Sequence, residues 1–195
     1  MKKRFFSLAI VALGFFTWSC NDNSSTTTSD DSTTMNMPET TNTMNTTPVN
    51  TTPFSSGDSA FVMEAAMGGM MEVEAGTLAQ QNAANQRVKD FGSMMVADHG
   101  KANNELKTMV SGRIMIPDSL PAKMKKQLDQ LRKLNGKAFD RSYMSMMTED
   151  HKKDIDKFQK QSQSATDAQL KSWAGATLPV LQKHYDSVQA IRKGL

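Results

Sequence analysis

The chain has 195 residues, with 23 Lys+Arg against 20 Asp+Glu, one cysteine and 7% aromatic residues. One cysteine excludes a disulfide scaffold and any Cys-rich zinc module. Three of the positive charges are Lys2, Lys3 and Arg4, so a chain beginning near Cys20 carries 20 charges of each sign. That balance gives no reason to expect nucleic acid as a partner.

The first segment reads as an address. Lys2-Lys3-Arg4 is a positive start, and Phe5 to Phe16 is an apolar run of 12 residues. A membrane-spanning helix needs about 20, so the run reads as the core of a signal peptide covering residues 1–19. Cys20 follows directly, preceded by the small Ser19, in a pattern that resembles the lipobox of bacterial lipoproteins. Thr17 and Trp18 stand where that motif usually has leucine and a small residue; a plain secretory signal with a free thiol is the other reading. Lipidation of Cys20 would anchor the chain to a membrane, since two or three acyl chains together hold stably. Asn21 after the cysteine favours, by resemblance to lipoprotein sorting, the outer membrane, with the domain in the periplasm or at the bacterial surface.

Residues 20–56 are expected to be a disordered tether. Within 21–56 there are 12 Thr, 6 Ser, 6 Asn and 3 Pro, too little apolar surface to offset the entropy of ordering. From residue 57 the pattern turns helical throughout. Ser56-Gly57-Asp58-Ser59 offers caps for a first helix to about Gln81, and Asn85 opens a second that ends near Gly112. Pro117 and Pro121 make the next stretch a connection, followed by a short helix to about Leu134 that Asn135-Gly136 breaks. A long helix from Lys137 to about Gln163 and a last one opened by Asp167 complete an all-α fold. The strings starting at Asn85 and Asp167 match at an offset of 82, and Phe61 and Phe139 begin partner helices with Glu72 opposite Asp150, at an offset of 78. The expectation is a bundle of two related helical hairpins with an extra short helix in the crossover.

All three histidines fall on apolar stripes of different helices. The second helix gives Val88, Met95, His99 and Leu106; the fourth gives Phe139, Tyr143, His151 and Phe158; the last gives Leu170, Leu181, His184 and Val188. The first helix offers a small-residue face with the single carboxylate Glu72. Buried imidazoles and carboxylates are costly unless they pair or hold a cation. Two readings stay open. In one, His99, His151 and His184 with Glu72 or Glu74 ligate a transition metal ion such as zinc, iron or copper, with Asp98 and Asp150 behind them. In the other, the carboxylates simply accept hydrogen bonds from the histidines. The repeated Met-Met-x-x-Asp-His strings at 94–99 and 146–151 would suit copper(I), while methionine is also a common core filler. Pro179 is expected to kink the last helix, and Lys123, Lys125, Lys126, Arg132 and Lys133 form a basic face that is solvated or meets peptidoglycan or an anionic surface.

The strings FVMEAAMGGMMEVEAGTLA (61–79), VKDFGSMMVADHGKANNELK (88–107), AFDRSYMSMMTEDH (138–151) and LKSWAGATLPVLQKH (170–184) resemble the bacterial domain-of-unknown-function family 4142, often labelled predicted outer-membrane proteins. The resemblance implies a ferritin-like four-helix bundle over 57–195, with Glu72, Glu74, Asp98, His99, Asp150, His151 and His184 as characteristic positions. It implies no activity. Ferritin-like di-iron sites use Glu-x-x-His on two helices, but Val96, Thr148 and Leu181 stand three residues before the histidines. Ferroxidase chemistry is therefore disfavoured, no catalytic residue is assigned, and no serine-hydrolase order or phosphate loop stands out. The expected function is a non-enzymatic binding, structural or stress-protective module anchored in the envelope, with envelope metal binding as the alternative and an envelope protein or peptidoglycan as partner.

Overall fold

The computed structural model describes residues 52–195, so the expected signal peptide, Cys20 and nearly all of the expected tether lie outside the described residues. Five helices follow in order: α1 (Ser56–Asn82), α2 (Gln86–Val110), α3 (Ala122–Arg132), α4 (Gly136–Ser164) and α5 (Ala168–Arg192). Their ends are set by local chemistry. Ser55 caps α1 by accepting from the Asp58 amide, Asn85 caps α2 by accepting from Arg87, and Asp167 caps α5 by accepting from Leu170. Ser55, rather than the Ser56–Ser59 group, is the cap because helical geometry already begins at Ser56.

The helices close a ring in the order α1, α2, α5, α4, with α3 lying mainly against α1. Asp58 at the start of α1 meets Thr166 and Asp167 beyond the end of α4, and Asp140 near the start of α4 meets Ala84 and Asn85 beyond the end of α1. Ring neighbours α1 and α4 therefore run antiparallel, and the crossover 111–135 must travel the length of the bundle. This is the ferritin-like arrangement: two hairpins joined by one long connection. Among the described residues no helix is long and apolar enough to cross a membrane.

The start of the described chain is docked against the domain. The Thr52 carbonyl accepts from Arg113 Nε at 2.9 Å, and the Arg113 guanidinium lies 3.7 Å over the Phe54 ring. Arg113 Nη2 also donates to Asp167 at 2.6 Å in a buried ion pair, which ties the crossover to the cap of α5. Residues 52–55 thus belong with the helical domain, because Phe54 has a cation to lie against.

Two apolar cores fill the bundle, one at each end. One is built around Val88, Phe91, Met95, Phe139, Tyr143 and Met147; the other joins Phe61, Val62, Leu106, Phe158, Leu170 and Leu181. The buried methionines Met71, Met95, Met144 and Met147 sit in the first core, with Met70, Met94 and Met146 packed on it, so the Met-Met pairs serve as filling.

The internal repeat runs at one offset, 82, over both hairpins. Shifting α2 by 82 reproduces the bounds of α5, and the last residue of α1, Asn82, falls on Ser164, the last of α4. Asp58 and Asp140 occupy equivalent places and do equivalent work, each carboxylate accepting backbone amides from the turn of the other hairpin. This corrects the offset of 78 expected for the first helices of each pair: the counterpart of Glu72 is Asp154, not Asp150. The Phe61/Phe139 match is one helical turn out of register, because α4 starts earlier than α1 in the repeat frame and every fourth residue shares a face.

Helices α1 and α2 approach most closely at Gly76 and Gly92. A Cβ on Gly92 would stand 2.7 Å from the Ala79 Cβ and 2.7 Å from the Gly76 carbonyl oxygen, contacts with backbone that no rotamer relieves. Gly100 on the same helix has open space around it. Alanine in place of a helical glycine ordinarily gains about 0.5–1 kcal/mol, while overpacking costs about 1–3 kcal/mol. Urea unfolding should therefore show Gly100→Ala stabilised and Gly92→Ala destabilised at unchanged m-value, separated by at least about 1 kcal/mol.

Candidate metal centre

Between the two apolar cores lies a polar cluster drawn from four helices. His151 and His184 are 0% exposed, His99 7% and Glu72 3%. One ring nitrogen from each histidine lies within 4.8 Å of one from each of the others. The rings stand close together, with centroids 5.2–5.5 Å apart. Phe91 closes the side toward the first core, 6.3 Å from His151 and 6.5 Å from His184.

Each imidazole has one nitrogen turned to an acceptor outside the trio of rings. His151 Nδ1 donates to the Met147 carbonyl one turn back at 3.0 Å. His184 Nε2 donates to Asp98 Oδ2 of α2 at 2.9 Å. His99 Nδ1 lies 2.9 Å from Glu72 Oε2 of α1, whose other oxygen is 3.4 Å from His151 Nδ1. The Met147 carbonyl and the Asp98 carboxylate accept, so the protons of neutral His151 and His184 are drawn to their outer nitrogens, as is that of His99 when Glu72 is ionised. The remaining nitrogens are His151 Nε2, His184 Nδ1 and His99 Nε2. The first two face each other at 3.2 Å, and the third is buried with no hydrogen-bond partner. With the outer nitrogens protonated, the facing pair presents lone pair to lone pair. This is the pattern of metal-ligating histidines, each oriented by a hydrogen bond from its far nitrogen. Two nitrogens at about 2.0–2.1 Å from one tetrahedral ion stand about 3.3 Å apart, which the pair at 3.2 Å already matches.

Burial also sets the charge states. It presses all three imidazoles down to about 4, opposed in part by Glu72 near His151, by Asp98 on His184, and by Asp154 and Asp98 near His99. The same burial raises Glu72 to about 7, with His151 opposing and Asp150 adding to the rise. Asp154 is raised to about 7 by burial and then by the neighbouring Glu72 and Asp150. The Tyr143 hydroxyl is buried without a partner, and burial followed by the nearby Glu72 charge pushes it upward.

Not every expected site residue joins this cluster. His99, His151, His184 and Glu72 do, with Asp98 behind His184. Glu72 sits on the outer nitrogens of His99 and His151, so it orients rings rather than facing the gap between them. Glu74 is exposed, since two residues along a helix turn it about 200° from Glu72. Asp150 is half-buried, lies 4.0 Å from Lys153, and is not bonded to a histidine. It opens instead onto a groove of about 330 Å³ between α1 and α4, shared with Glu72, Asp154, Lys123, Lys153 and Lys157. Asp154 escaped the sequence reading; its signals are the three-residue step from His151 and the offset of 82 from Glu72.

The fold and the cluster define a ferritin-like helical domain with a three-imidazole centre in place of a carboxylate-rich di-iron set. The chain belongs to the family described as Domain of unknown function (DUF4142), whose model matches residues 43–191. Among solved structures it is similar to a DUF305 secreted protein from Streptomyces coelicolor, at 13% identity and a TM-score of 0.60, over 70% of this chain and 91% of that one. That likeness establishes the fold. None of the curated proteins is similar to the chain in sequence.

The shifted groups act in opposite directions on stability. Histidines lowered from 6.5 to about 4 stabilise the fold above 6.5 and lose that contribution as pH falls through 4. Glu72 and Asp154, raised to about 7, stabilise it at low pH and lose that contribution as pH rises through 7. Between about pH 4.5 and 6.5 the two carboxylates offset two of the three histidines, leaving a net rise in stability with pH of about one proton, and above 6.5 only the carboxylates still titrate. In chelator-treated protein the urea midpoint should decline from pH 6.5 to 8, and Glu72→Gln should remove roughly half of that decline.

Proposed function

We propose that this chain is an envelope-tethered metal-binding protein whose helical domain holds one transition-metal ion on His99, His151 and His184. The observation that carries the reading is the convergence of three buried imidazoles in which His151 Nε2 and His184 Nδ1 face each other at 3.2 Å with their outer nitrogens already bonded to acceptors. Three neutral imidazoles suit zinc, copper(II), nickel or iron(II) better than calcium or magnesium, which prefer oxygen. Glu72 and Asp98 supply the outer hydrogen bonds that fix ring orientation and raise ligand basicity.

The signal pattern before Cys20 and the secreted structural neighbour support placement outside the cytoplasm. In this reading Cys20 is lipidated, the Thr/Ser/Asn-rich segment is the tether, and the basic residues of α3 are available to an anionic envelope surface. Substitution of Cys20 by alanine should abolish incorporation of radiolabelled palmitate in growing cells; retained label would refute the anchor.

The competing reading is a purely polar cluster in which the His184–Asp98 and His99–Glu72 pairs tie helices together without an ion. Elemental analysis after reloading with zinc or copper separates the two. We expect roughly one ion per chain, lost in a His99/His151/His184→Ala variant, and an affinity about 10–100-fold weaker in Glu72→Gln. Retention of less than about a tenth of an equivalent by the unsubstituted protein would leave only the structural reading.

A further inference from the structure

The donor set leaves a coordination position to be filled, and the fold shows where from. A first-row ion held by three imidazoles takes at least one more ligand. The two carboxylates bonded to the rings are committed elsewhere, Glu72 on the outer nitrogens of His99 and His151 and Asp98 on the outer nitrogen of His184, while Asp154 lines the groove on the α1–α4 side. Phe91 covers the end toward the first core, and Leu181 belongs to the second core. The groove between α1 and α4 reaches Glu72 but is lined by none of the histidines. The cleft between α2 and α5 does reach the rings. It measures about 240 Å³, and His99, His184 and Asp98 line it together with Thr177, Val180 and Ala102.

The segment of α5 along this cleft is also the one that Pro179 interrupts. Proline has no N–H to offer the carbonyl four residues back, so the helix is locally less tightly bonded beside the opening. Val180, in the same turn, is one of the few exposed large apolar residues among those described. The volume sits below the roughly 300–1,000 Å³ of sites for drug-sized ligands, yet it is several times the roughly 30 Å³ share of one water. It suits a donor of a few atoms.

We propose that the α2–α5 cleft delivers a small exogenous donor, water, hydroxide or a short anion of the azide class, to the open position on an ion held by His99, His151 and His184. The inference rests on the metal reading given above and extends it: the centre is an open site that exchanges a ligand, not a closed structural one. Binding is simple exchange, in which the anion's lone pair replaces that of a bound water and no electron is transferred.

The test uses the purified full chain loaded with cobalt(II), whose visible absorption reports its ligand set. Azide should shift the cobalt bands saturably. Val180→Trp and, as an independent variant, Thr177→Phe place bulk in the cleft wall without touching a ligand. Each should keep the cobalt spectrum while weakening azide binding at least about tenfold. Cobalt bands that azide does not alter would overturn this proposal while leaving the metal reading intact. An azide response equally strong in both cobalt-loaded variants would overturn the entry route. Failure of the unsubstituted chain to take up cobalt, zinc or copper at all would remove the metal reading, and this proposal with it.

Discussion

The structure turns on a conflict among three neutral imidazoles confined between two apolar cores. Each ring is anchored by its outer nitrogen, and the anchors dictate the tautomer. The Met147 carbonyl and the Asp98 carboxylate can only accept, so His151 and His184 must turn unprotonated nitrogens toward each other at 3.2 Å. In water such a contact would be relieved by solvent or by rotation. Here both rings are fully buried, and burial opposes the added proton that could bridge them. A cation shared by the facing nitrogens would remove the conflict and tie α4 to α5, with α2 joined through His99 and α1 through Glu72. Ion binding and bundle stability would then be one linked equilibrium.

The repeat supplies the frame, and the histidines depart from it. Asp58 and Asp140 hold the two hairpin turns in the same way, and the helix bounds coincide at an offset of 82. At the same offset His99 corresponds to Leu181, His151 to Gly69, and His184 to Ala102. No histidine is paired with another. The only acidic pair that the repeat retains near the cluster is Glu72 with Asp154. A symmetric frame thus carries an uneven donor set: Glu72, Asp150 and Asp154 line the groove on the α1–α4 side, while His99 and His184 line the α2–α5 cleft beside Asp98.

Much of this could be read from the chain because the signals were local. Proline at 117 and 121, Asn85, Asn135-Gly136 and Asp167 marked the helix ends to within a residue or two. The histidine stripes were visible because a 3.6-residue period places His99, His151 and His184 in line with buried Val88, Tyr143 and Leu181. What escaped depended on which neighbour each face meets. Asp98-His99 and Asp150-His151 are alike in sequence, yet Asp98 reaches across to His184 while Asp150 turns to a groove beside Lys153. Asp58 looked like part of a cap for its own helix and instead satisfies a turn more than a hundred residues away, accepting from the amides of Thr166 and Asp167. Such pairings are fixed by packing order around the ring, which periodicity does not encode.

The likeness to ferritin-like folds therefore informs the container more than the chemistry. In the di-iron members of that class, four carboxylates and two histidines surround the ions and largely neutralise them. Here the converging atoms are uncharged nitrogens, and the carboxylates stand one layer back, with Glu72 itself raised to about 7. A divalent ion in this setting would keep most of its positive charge, which favours an anionic or readily ionised fourth ligand over a second metal. In the four-helix frame the small residues Gly76 and Gly92 let α1 and α2 pack closely, while the cleft that His99 and His184 line lies between α2 and α5. The distribution of small and large side chains along the four helices, rather than the fold class, decides on which face the centre can meet its surroundings.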